Sequence, residues 1–471
     1  MGVNWSNTKF SDVGKTHYLF SHFNYFKLRK EIDADKSFLQ ERISDYFEII
    51  SGYAFSSKDY SEKGTSVCRI GDISKLGDIL YDEMNKLPED YYNTFKNYQI
   101  KENDILIGMT GDGKYFKTGL VENLKTQLLL NQRVGIIRLK DKTINFNPKF
   151  LSYLLKLDKV QNQIKIVAMG KTQKNVSPFD ILSVRFPKVD FERQNLILSK
   201  ISPLEDEINS LKTYKKEKIE IINSVFAEEF NFNFEEFNKL KDEKIVSSSL
   251  VNFSNNIDCR FGYRFQHKSG KYMMDFLKSK TQKRIKDYVA IPISLGKSVS
   301  PSQYDEDGEY YYISMATVKK FYFDKEDAKK VSDDYSSQNL NKAVKKNDII
   351  MTRSGMAIGK FALIKKNIKG IYADFTMRIR LQNYNHQLAY YYFRSIFFQQ
   401  LITTNKKGLQ NHNIFPSMIQ EFPIPDWSIE KQNEICDSIT KQIDEQKEID
   451  RKIEQKQNEI KNLIENAIES E

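Results

Sequence analysis

The chain contains 471 residues, with 73 Lys and Arg against 63 Asp and Glu, a formal net charge of +10 and a pI of about 9.0. Its 32 Phe and 26 Tyr exclude an intrinsically disordered chain, and no apolar run approaches the roughly 18 residues that cross a membrane. Cys68, Cys259 and Cys436 are scattered, which argues against a disulfide framework or zinc site and predicts a cytoplasmic protein.

The positive charge is unevenly distributed. Residues 429–471 contain 7 Lys and Arg against 12 Asp and Glu, so the basic excess lies in residues 1–428. A basic surface suits a nucleic-acid partner, because phosphate groups attract Lys and Arg. A compositional bias of the coding sequence, which would also account for the abundant Asn, Ile, Tyr and Phe, would produce the same excess of Lys. The net charge by itself therefore leaves both explanations open.

In chain order, the first part predicts a domain of mixed helix and strand. Short apolar runs rich in β-branched residues predict strands at residues 104–107 and 134–137. Helical spacing of leucines predicts a helix over residues 149–166. A polar loop, residues 170–175, follows it.

A long helix is predicted next. From Glu192 the chain is rich in Glu, Lys, Gln, Ile and Leu and poor in Gly, which predicts a helix of about 28 residues, or about 40 Å. Ser202 and Pro203 are predicted to be the N-cap and first residue of a helix that restarts there. Residues 231–250 are predicted to be a linker that returns the chain to a second domain.

The second part repeats this order. Strands are predicted at residues 348–351 and 377–381, a helix over residues 386–402, and a polar loop at residues 406–413. From Glu430 a second long helix of about 42 residues, or about 60 Å, is predicted.

The second long helix carries a narrow isoleucine stripe, which requires another helix beside it. The two long helices are therefore predicted to pair as an antiparallel coiled coil. The alternative, in which each helix packs on its own domain, stays open. The stripe consists of Ile439, Ile443, Ile453, Ile460 and Ile464.

The sequence repeat establishes the architecture. Glu192-Arg193-Gln194-Asn195 recurs as Glu430-Lys431-Gln432-Asn433, an offset of 238 residues. Asn103-Asp104-Ile105 likewise recurs as Asn347-Asp348-Ile349. Such a long period indicates two tandem copies of a whole module. The predicted fold class is α+β, with two mixed domains at residues 1–190 and 251–428, a first helix and linker at 191–250, and a second helix at 429–471.

The sequence contains no complete catalytic motif. Gly170-Lys171-Thr172 ends like a phosphate-binding loop, but Lys165 occupies the position of the required earlier glycine. The five histidines have no metal-ligand spacing, and no Gly-x-Ser-x-Gly motif is present. The chain is therefore predicted to be non-catalytic, with no metal and no cofactor of its own.

Two segments of each copy are candidates for contact with DNA, because Asn and Gln suit adenine while Lys and Arg suit guanine or phosphate. For any single residue, a solvated surface loop is an equally open explanation. In the polar loops the candidates are Lys171, Thr172, Gln173, Lys174 and Asn175, and Lys406, Lys407, Gln410, Asn411, His412 and Asn413. In the post-strand segments, which follow the Asp-Ile strands, they are Lys114 and Lys117, matched roughly by Arg353, Ser354 and Lys360.

The doubled elements resemble the specificity subunit of type I restriction–modification systems over essentially the whole chain. The resemblance rests on the elements Gly170 to Gln194 and Gly408 to Gln432, on the two Asn-Asp-Ile strands, and on the long helix after each domain. It implies two target recognition domains, each reading half of a split, asymmetric sequence in double-stranded DNA. It also implies helices that set the spacer between the half-sites.

The same resemblance implies partner subunits. Two modification subunits would methylate adenine with S-adenosylmethionine, and restriction subunits would use ATP and Mg²⁺ to translocate and cleave DNA. Two alternatives stay open: a targeting subunit of a related phage-defence methylation complex without restriction, and a stand-alone DNA-modifying enzyme.

Overall fold

The computed structural model describes residues 40–82, 84–111, 115–141, 143–168, 174–246, 260, 262–319, 321–408 and 412–469. They fall into two compact units. Unit 1 comprises Met1–Thr213 with Arg451–Glu471, and unit 2 comprises Tyr214–Asp450.

Unit 1 is a mixed α+β body. Its strands are β1 (Glu41–Arg42), β2 (Phe47–Ser51), β3 (Thr65–Cys68), β4 (Asn85–Leu87), β5 (Ile105–Gly108), β6 (Thr110–Gly111), β7 (Thr118–Leu120), β8 (Leu128–Leu130), β9 (Val134–Leu139), β10 (Lys174–Asn175) and β11 (Arg185–Phe186). Its helices are α1 (Ile43–Tyr46), α2 (Asp90–Thr94), α3 (Pro148–Leu154), α4 (Asp158–Val167), α5 (Pro178–Leu182) and α6 (Phe191–Thr213). Short 3-10 turns occupy Ser57–Asp59, Ile70–Asp72 and Lys96–Tyr98.

Unit 2 repeats the plan. Its helices are α7 (Lys218–Phe230), α8 (Phe234–Lys241), α9 (Tyr263–Gln266), α10 (Lys268–Lys280), α11 (Asp333–Gln338), α12 (His386–Arg394), α13 (Ile396–Asn405), α14 (Pro416–Gln420) and the first part of α15 (Ile429–Glu469). Its strands are β12 (Ser294–Leu295), β13 (Tyr310–Ile313), β14 (Lys330–Val331), β15 (Ile349–Thr352), β16 (Phe361–Leu363), β17 (Gly370–Tyr372) and β18 (Thr376–Ile379). Its 3-10 turns are Ile285–Asp287, Pro301–Gln303, Leu340–Lys342 and Gly355–Ala357.

The two units contain equivalent sheets. The larger sheet is antiparallel, with strand order β2-β9-β5-β7 in unit 1 and β12-β18-β15-β16 in unit 2. The smaller sheet has the order β4-β3-β8 and β14-β13-β17, with one antiparallel and one parallel pair in each case. The α+β duplication and the four predicted strands are therefore confirmed.

A buried ion pair explains why Asn-Asp-Ile recurs. Asp104 accepts hydrogen bonds from Arg138 Nε and Nη2 at 2.7 and 2.6 Å, and Asp348 accepts them from Arg380 at 2.6 and 2.7 Å. Each aspartate is 1% exposed. The asparagine before each one adopts a positive φ, 66° and 74°, which Asn tolerates better than most residues. The motif therefore turns the chain into the central strand and neutralises an arginine that lies in the neighbouring strand (Arg138) or directly after it (Arg380).

The recurring Gln-Asn pair at each long-helix start holds the preceding domain helix. Gln194 Oε1 accepts a hydrogen bond from the backbone nitrogen of Asn147 at 2.9 Å, and Asn195 Oδ1 accepts one from Asn147 Nδ2 at 3.0 Å. The second copy repeats both contacts at Asn385, at 2.8 and 2.7 Å. Since Asn147 and Asn385 are the N-caps of α3 and α12, the motif joins the start of each long helix to its own domain.

The predictions of one continuous helix over residues 149–166 and another over residues 386–402 are wrong. Each is two helices, α3 with α4 and α12 with α13. Leu157 and Ser395 are extended at the breaks, with ψ of 143° and 158°. Both breaks adjoin buried side chains, and tertiary packing outweighs the continuous helical spacing.

The helix restart predicted at Ser202 and Pro203 is also wrong. Helix α6 is continuous through Pro203 and contains 23 residues rather than about 28. An interior proline costs about 3 kcal/mol, but burial of Ile197, Ile201 and Ile208 on both sides of it holds the helix together. The break comes later, and α7 then begins at Lys218.

The segment predicted to be the linker, residues 231–250, contains helix α8. Asn233 Oδ1 caps this helix by accepting from the backbone nitrogens of Glu235 and Glu236 at 2.9 and 3.3 Å. Phe232 and Phe237 are buried in the core of unit 2. Residues 247–250 lie outside the described part of the chain.

The second long helix is confirmed as α15, with 41 residues. The whole predicted isoleucine stripe is buried. The residues of α15 from Arg451 onward belong to unit 1, and the preceding ones belong to unit 2. The helix therefore contributes apolar residues to both units.

Polar contacts join α15 to α6 within unit 1 and to α7 within unit 2. In unit 1, Lys456 pairs with Glu207 at 3.0 Å, and Arg193 Nη2 donates to the carbonyl of Ala467 at 3.1 Å. Lower-numbered residues of α6 thus meet higher-numbered residues of α15. In unit 2, Lys431 pairs with Glu229 at 3.1 Å. The antiparallel coiled coil along the whole length stays a prediction.

Burial suppresses the reactivity of two cysteines, one in each unit. Burial, reinforced by nearby Asp72, raises the pKa of the Cys68 thiol to about 12, and burial also raises the pKa of Cys436. The reactive thiolate of Cys68 is therefore much scarcer at pH 8 than that of an ordinary thiol. We expect Cys68 and Cys436 to resist iodoacetamide at pH 8 until urea unfolds their units, as peptide mass mapping would report. Fast alkylation of either residue in the folded chain would contradict this burial.

Candidate nucleic-acid interface

The structure brings the two candidate segments of unit 1 together. Strand β6, which belongs to the post-strand segment, pairs antiparallel with strand β10 of the polar loop. Thr110 lies opposite Asn175, and Gly111 lies opposite Lys174. Thr110 Oγ1 donates a hydrogen bond to Asn175 Oδ1 at 3.0 Å. The backbone nitrogen of Val176 donates to the carbonyl of Met109, also at 3.0 Å. The described ends of the two segments are therefore hydrogen-bonded to each other.

Unit 2 repeats this junction with different neighbours. Ser354 bridges Asn413 in antiparallel fashion, and Ser354 Oγ donates to Asn413 Oδ1 at 2.5 Å. The backbone nitrogen of Ile414 donates to the carbonyl of Arg353 at 3.0 Å. These contacts make Ser354 equivalent to Thr110 and Arg353 equivalent to Met109. The sequence predicts a rough match of Arg353 and Ser354 with the residues around Lys114. The contacts instead match them with Met109 and Thr110, several positions earlier in the chain.

The guanidinium of Arg353 lies at this junction. Its Nε donates to the carbonyl of Asp374 at 3.2 Å, and its Nη1 lies 3.4 Å from Asn413 Oδ1. The guanidinium carbon is 6.0 Å from the ring centre of Phe415, which is 40% exposed. A cation is thus held beside the polar loop of unit 2, where unit 1 has the buried, apolar Met109.

Further cations of unit 2 surround the same loop. Lys407 exchanges two backbone hydrogen bonds with Asn413, both 2.7 Å. Arg260 Nη2 donates to the carbonyls of Asn405 and Lys406 at 2.9 and 3.1 Å. Burial, followed by the charge of Arg264, lowers the pKa of Lys406. These residues place several basic side chains in or against the described part of the loop.

Sequence reasoning missed Arg260 and Arg264. Arg264 Nη1 lies 3.4 Å from His412 Nε2, and His412 Nδ1 lies 2.7 Å from the carbonyl oxygen of Gly408. The two arginines precede the loop by more than 140 residues, so no local pattern connects them. The only sequence signal was a pair of arginines near the predicted start of the second domain.

The two described lysines of the post-strand segments, Lys117 and Lys360, are held differently. Lys117 Nζ donates to the carbonyls of Ile70 and Ile73 at 3.2 and 2.7 Å. These bonds connect the post-strand segment to the 3-10 turn Ile70–Asp72, which follows strand β3 of the smaller sheet. Lys360 is half-buried, and its backbone nitrogen donates to Thr352 Oγ1 at 3.0 Å. Six other candidates lie outside the described residues: Lys114, Lys171, Thr172, Gln173, Gln410 and Asn411.

A repeated glutamine, also missed from the sequence, holds the other end of each post-strand segment. Gln161 exchanges hydrogen bonds with the backbone of Phe116 at 2.9 and 3.0 Å. Gln399 Nε2 donates to the carbonyl of Gly359 at 2.9 Å. The two glutamines share the 238-residue offset, and that identity was the signal that could have found them.

Other kinds of site find no support in the described part of the chain. Among those residues, no group of three or more His, Cys, Asp or Glu side chains is placed to hold a metal ion. None of the described helices has the length and apolar character needed to span a bilayer.

The fold and the loops define a tandem pair of α+β units with polar, basic loops at equivalent positions. The chain belongs to the family described as type I restriction modification DNA specificity domain, whose family model matches residues 39–221 and 278–462. The two matches coincide with the two copies, so the family resemblance of the sequence is confirmed.

Individual relatives match only in part. The MjaVIII type I restriction enzyme specificity subunit of Methanocaldococcus jannaschii is 25% identical over 181 residues, which are 38% of this chain and 42% of that protein. The EcoAI specificity subunit of Escherichia coli is 26% identical over 179 residues, 36% of this chain and 29% of that protein. The chain thus aligns with less than half of the length of either curated relative.

A solved structure resembles a larger part of the chain. It is a type I restriction–modification S subunit from M. genitalium, which is 14% identical, with a TM-score of 0.36. The likeness covers 91% of this chain and 95% of that one.

Proposed function

We propose that this chain is the DNA sequence-specificity subunit of a type I restriction–modification complex. Each unit reads one half of a bipartite, asymmetric target in double-stranded DNA. The chain is non-catalytic. Two modification subunits supply adenine methylation with S-adenosylmethionine, and restriction subunits supply ATP- and Mg²⁺-dependent translocation and cleavage in the cytoplasm.

One observation carries the proposal: the same junction of two loops occurs twice, with different side chains beside it. Thr110 with Asn175 and Ser354 with Asn413 make equivalent contacts. The adjoining position is Met109 in one unit and Arg353 in the other. A common scaffold with different neighbouring side chains is what two readers of different half-sites require, because base identity is read by side chains at groove edges.

The charge around the loop of unit 2 also supports a DNA partner. Arg353, Arg260, Lys406 and Lys407 lie along or against one loop, and phosphate contacts from such cations provide much of DNA affinity. An arginine such as Arg353 also has the geometry for a bidentate contact to guanine.

The long helices are proposed to set the spacer and to dock the modification subunits. The ion pair of Lys456 with Glu207 and that of Lys431 with Glu229 support an antiparallel arrangement of the helices within each unit. Buried Gln194 and Gln432 join the two long helices to their own domains. With each long helix held rigidly to its own domain, the length of the helices would determine the distance between the two half-sites.

Mapping N6-methyladenine in cells that express this chain with its cognate modification subunit tests the function. We expect a split motif, with two short defined parts separated by a spacer of fixed length. One continuous motif would contradict the proposal of two readers. Methylation by the purified chain without a modification subunit would contradict its non-catalytic role.

The substitution Arg353→Met, which places the side chain of unit 1 in unit 2, sharpens this test. A base contact by arginine contributes about 1–3 kcal/mol of discrimination. We therefore expect relaxed recognition in one part of the motif only. Lys369→Met, at an exposed lysine paired with Glu309, is the control and should leave both parts unchanged.

A further inference from the structure

We infer that Asn175 and Asn413 are positioning residues, which fasten each polar loop to the post-strand segment and do not themselves read bases. Each forms what we call the clip: the hydrogen bond from Thr110 Oγ1 to Asn175 Oδ1 in unit 1 and from Ser354 Oγ to Asn413 Oδ1 in unit 2. The clip as a local structure does not depend on the proposed function, whereas its role in recognition rests on that function.

The clip engages the atom that base reading would need. An asparagine that reads adenine uses its carbonyl oxygen and its amide nitrogen together. In both units that oxygen already accepts a hydroxyl proton, and in unit 2 Arg353 Nη1 also approaches it at 3.4 Å. The donor hydroxyls belong to side chains that are mostly buried, Thr110 at 9% and Ser354 at 7% exposed. Releasing the oxygen to a base would leave a mostly buried hydroxyl without its acceptor.

The duplication supports the same conclusion independently. Asparagine occupies the clip in both copies, and its partner is a small hydroxyl residue in both. A pair that is chemically the same in two readers cannot encode the difference between two half-sites. The difference must come from neighbours that diverge, of which the position of Met109 and Arg353 is the nearest.

The clip has a mechanical consequence for the loops. It fixes the Val176 and Ile414 backbone nitrogens on the carbonyls of Met109 and Arg353, each at 3.0 Å. Gln161 and Gln399 fasten the other end of each post-strand segment. Each post-strand segment is therefore hydrogen-bonded to its own unit near both of its ends.

The residues of the two units provide matched variants for a test. Thr110→Val and Ser354→Ala each remove one clip hydroxyl, whereas Thr110→Ser and Ser354→Thr exchange the hydroxyl residues between units and keep the bond. The full chain is used with its modification subunit. The DNA probes are duplexes in which one half-site at a time is scrambled.

Hydrogen exchange without DNA tests the clip itself. We expect Thr110→Val to speed exchange at the Val176 amide roughly three- to tenfold while the Ile414 amide stays as in the wild type, and Ser354→Ala to do the reverse. Unchanged exchange in both variants would overturn the clip. A thermal unfolding midpoint equal to that of the wild type would show that the effect of each variant on exchange is local.

DNA recognition tests the positioning role. We expect Thr110→Val and Ser354→Ala to lower methylation roughly three- to tenfold through one half-site each, and the two exchange variants to restore it. If Asn175 and Asn413 read bases, removing the hydroxyls would leave recognition intact, and that result would overturn the inference. Were the wild-type complex to show no split motif, the proposed function would fail while the exchange data still decided the clip.

Discussion

Replacing Asp348 with alanine is expected to destabilise unit 2 by about 3–5 kcal/mol, because removing one partner leaves the other charge partly buried and unpaired. Asp348 is 1% exposed, and the Arg380 side chain that it neutralises is 22% exposed. Asp348 also accepts a hydrogen bond from the backbone nitrogen of Lys345 at 2.7 Å, which closes the turn into the central strand. Loss of the carboxylate therefore removes an ion pair and a turn together.

Urea unfolding followed by hydrogen exchange of β15 would measure this effect. Glu309→Ala is the matched control, because it removes the carboxylate partner of Lys369 from an exposed pair in the same unit and should cost less than about 1 kcal/mol. Asp104→Ala should destabilise unit 1 comparably. A wild-type unfolding curve for Asp348→Ala would mean that the pair contributes little to the fold.

Replacing Phe226 with alanine should also destabilise unit 2 by about 3–5 kcal/mol, the usual cost of emptying a buried aromatic site. Phe226 is fully buried. Its ring centre lies 5.7 Å from that of Tyr392, 6.2 Å from that of Trp427 and 6.1 Å from that of Phe230. Because Phe226 lies on α7, its loss should loosen this helix from the domain that it adjoins.

Trp427 fluorescence during urea unfolding is a suitable readout, since this indole is stacked on Phe226. Tyr322→Ala is the control, because Tyr322 belongs to the same unit but is 58% exposed, and it should change stability by no more than about 0.5 kcal/mol. Equal effects of the two substitutions would show that the aromatic cluster is not the link between α7 and the domain.

The duplication and the element types could be predicted from the sequence because they depend on local and periodic information. The strands β5, β9, β15 and β18 follow from short β-branched runs. The buried face of α15 follows from the spacing of its isoleucines. The recurring Asn-Asp-Ile motif predicted that β5 and β15 are equivalent, and the two larger sheets confirm it.

Helix boundaries could not be predicted in the same way. Pro203 satisfied the local rule for a helix start, yet α6 continues through it because apolar residues on both sides are buried. The interruptions before α4 and α13 and the helix α8 depend equally on what each segment packs against. Local propensity is worth only tenths of a kcal/mol per residue, and burial exceeds it.

The candidate interface likewise has features that follow from the sequence and features that only the tertiary structure determines. Sequence alone determined that two polar loops and two post-strand segments recur, and which residue types they carry. Only the tertiary structure decided that these segments meet, that Thr110 contacts Asn175 across 65 residues and Ser354 contacts Asn413 across 59, and that Arg353 takes the place of Met109. Such contacts join distant parts of the chain through the sheet, and their geometry exists only once both strands have paired.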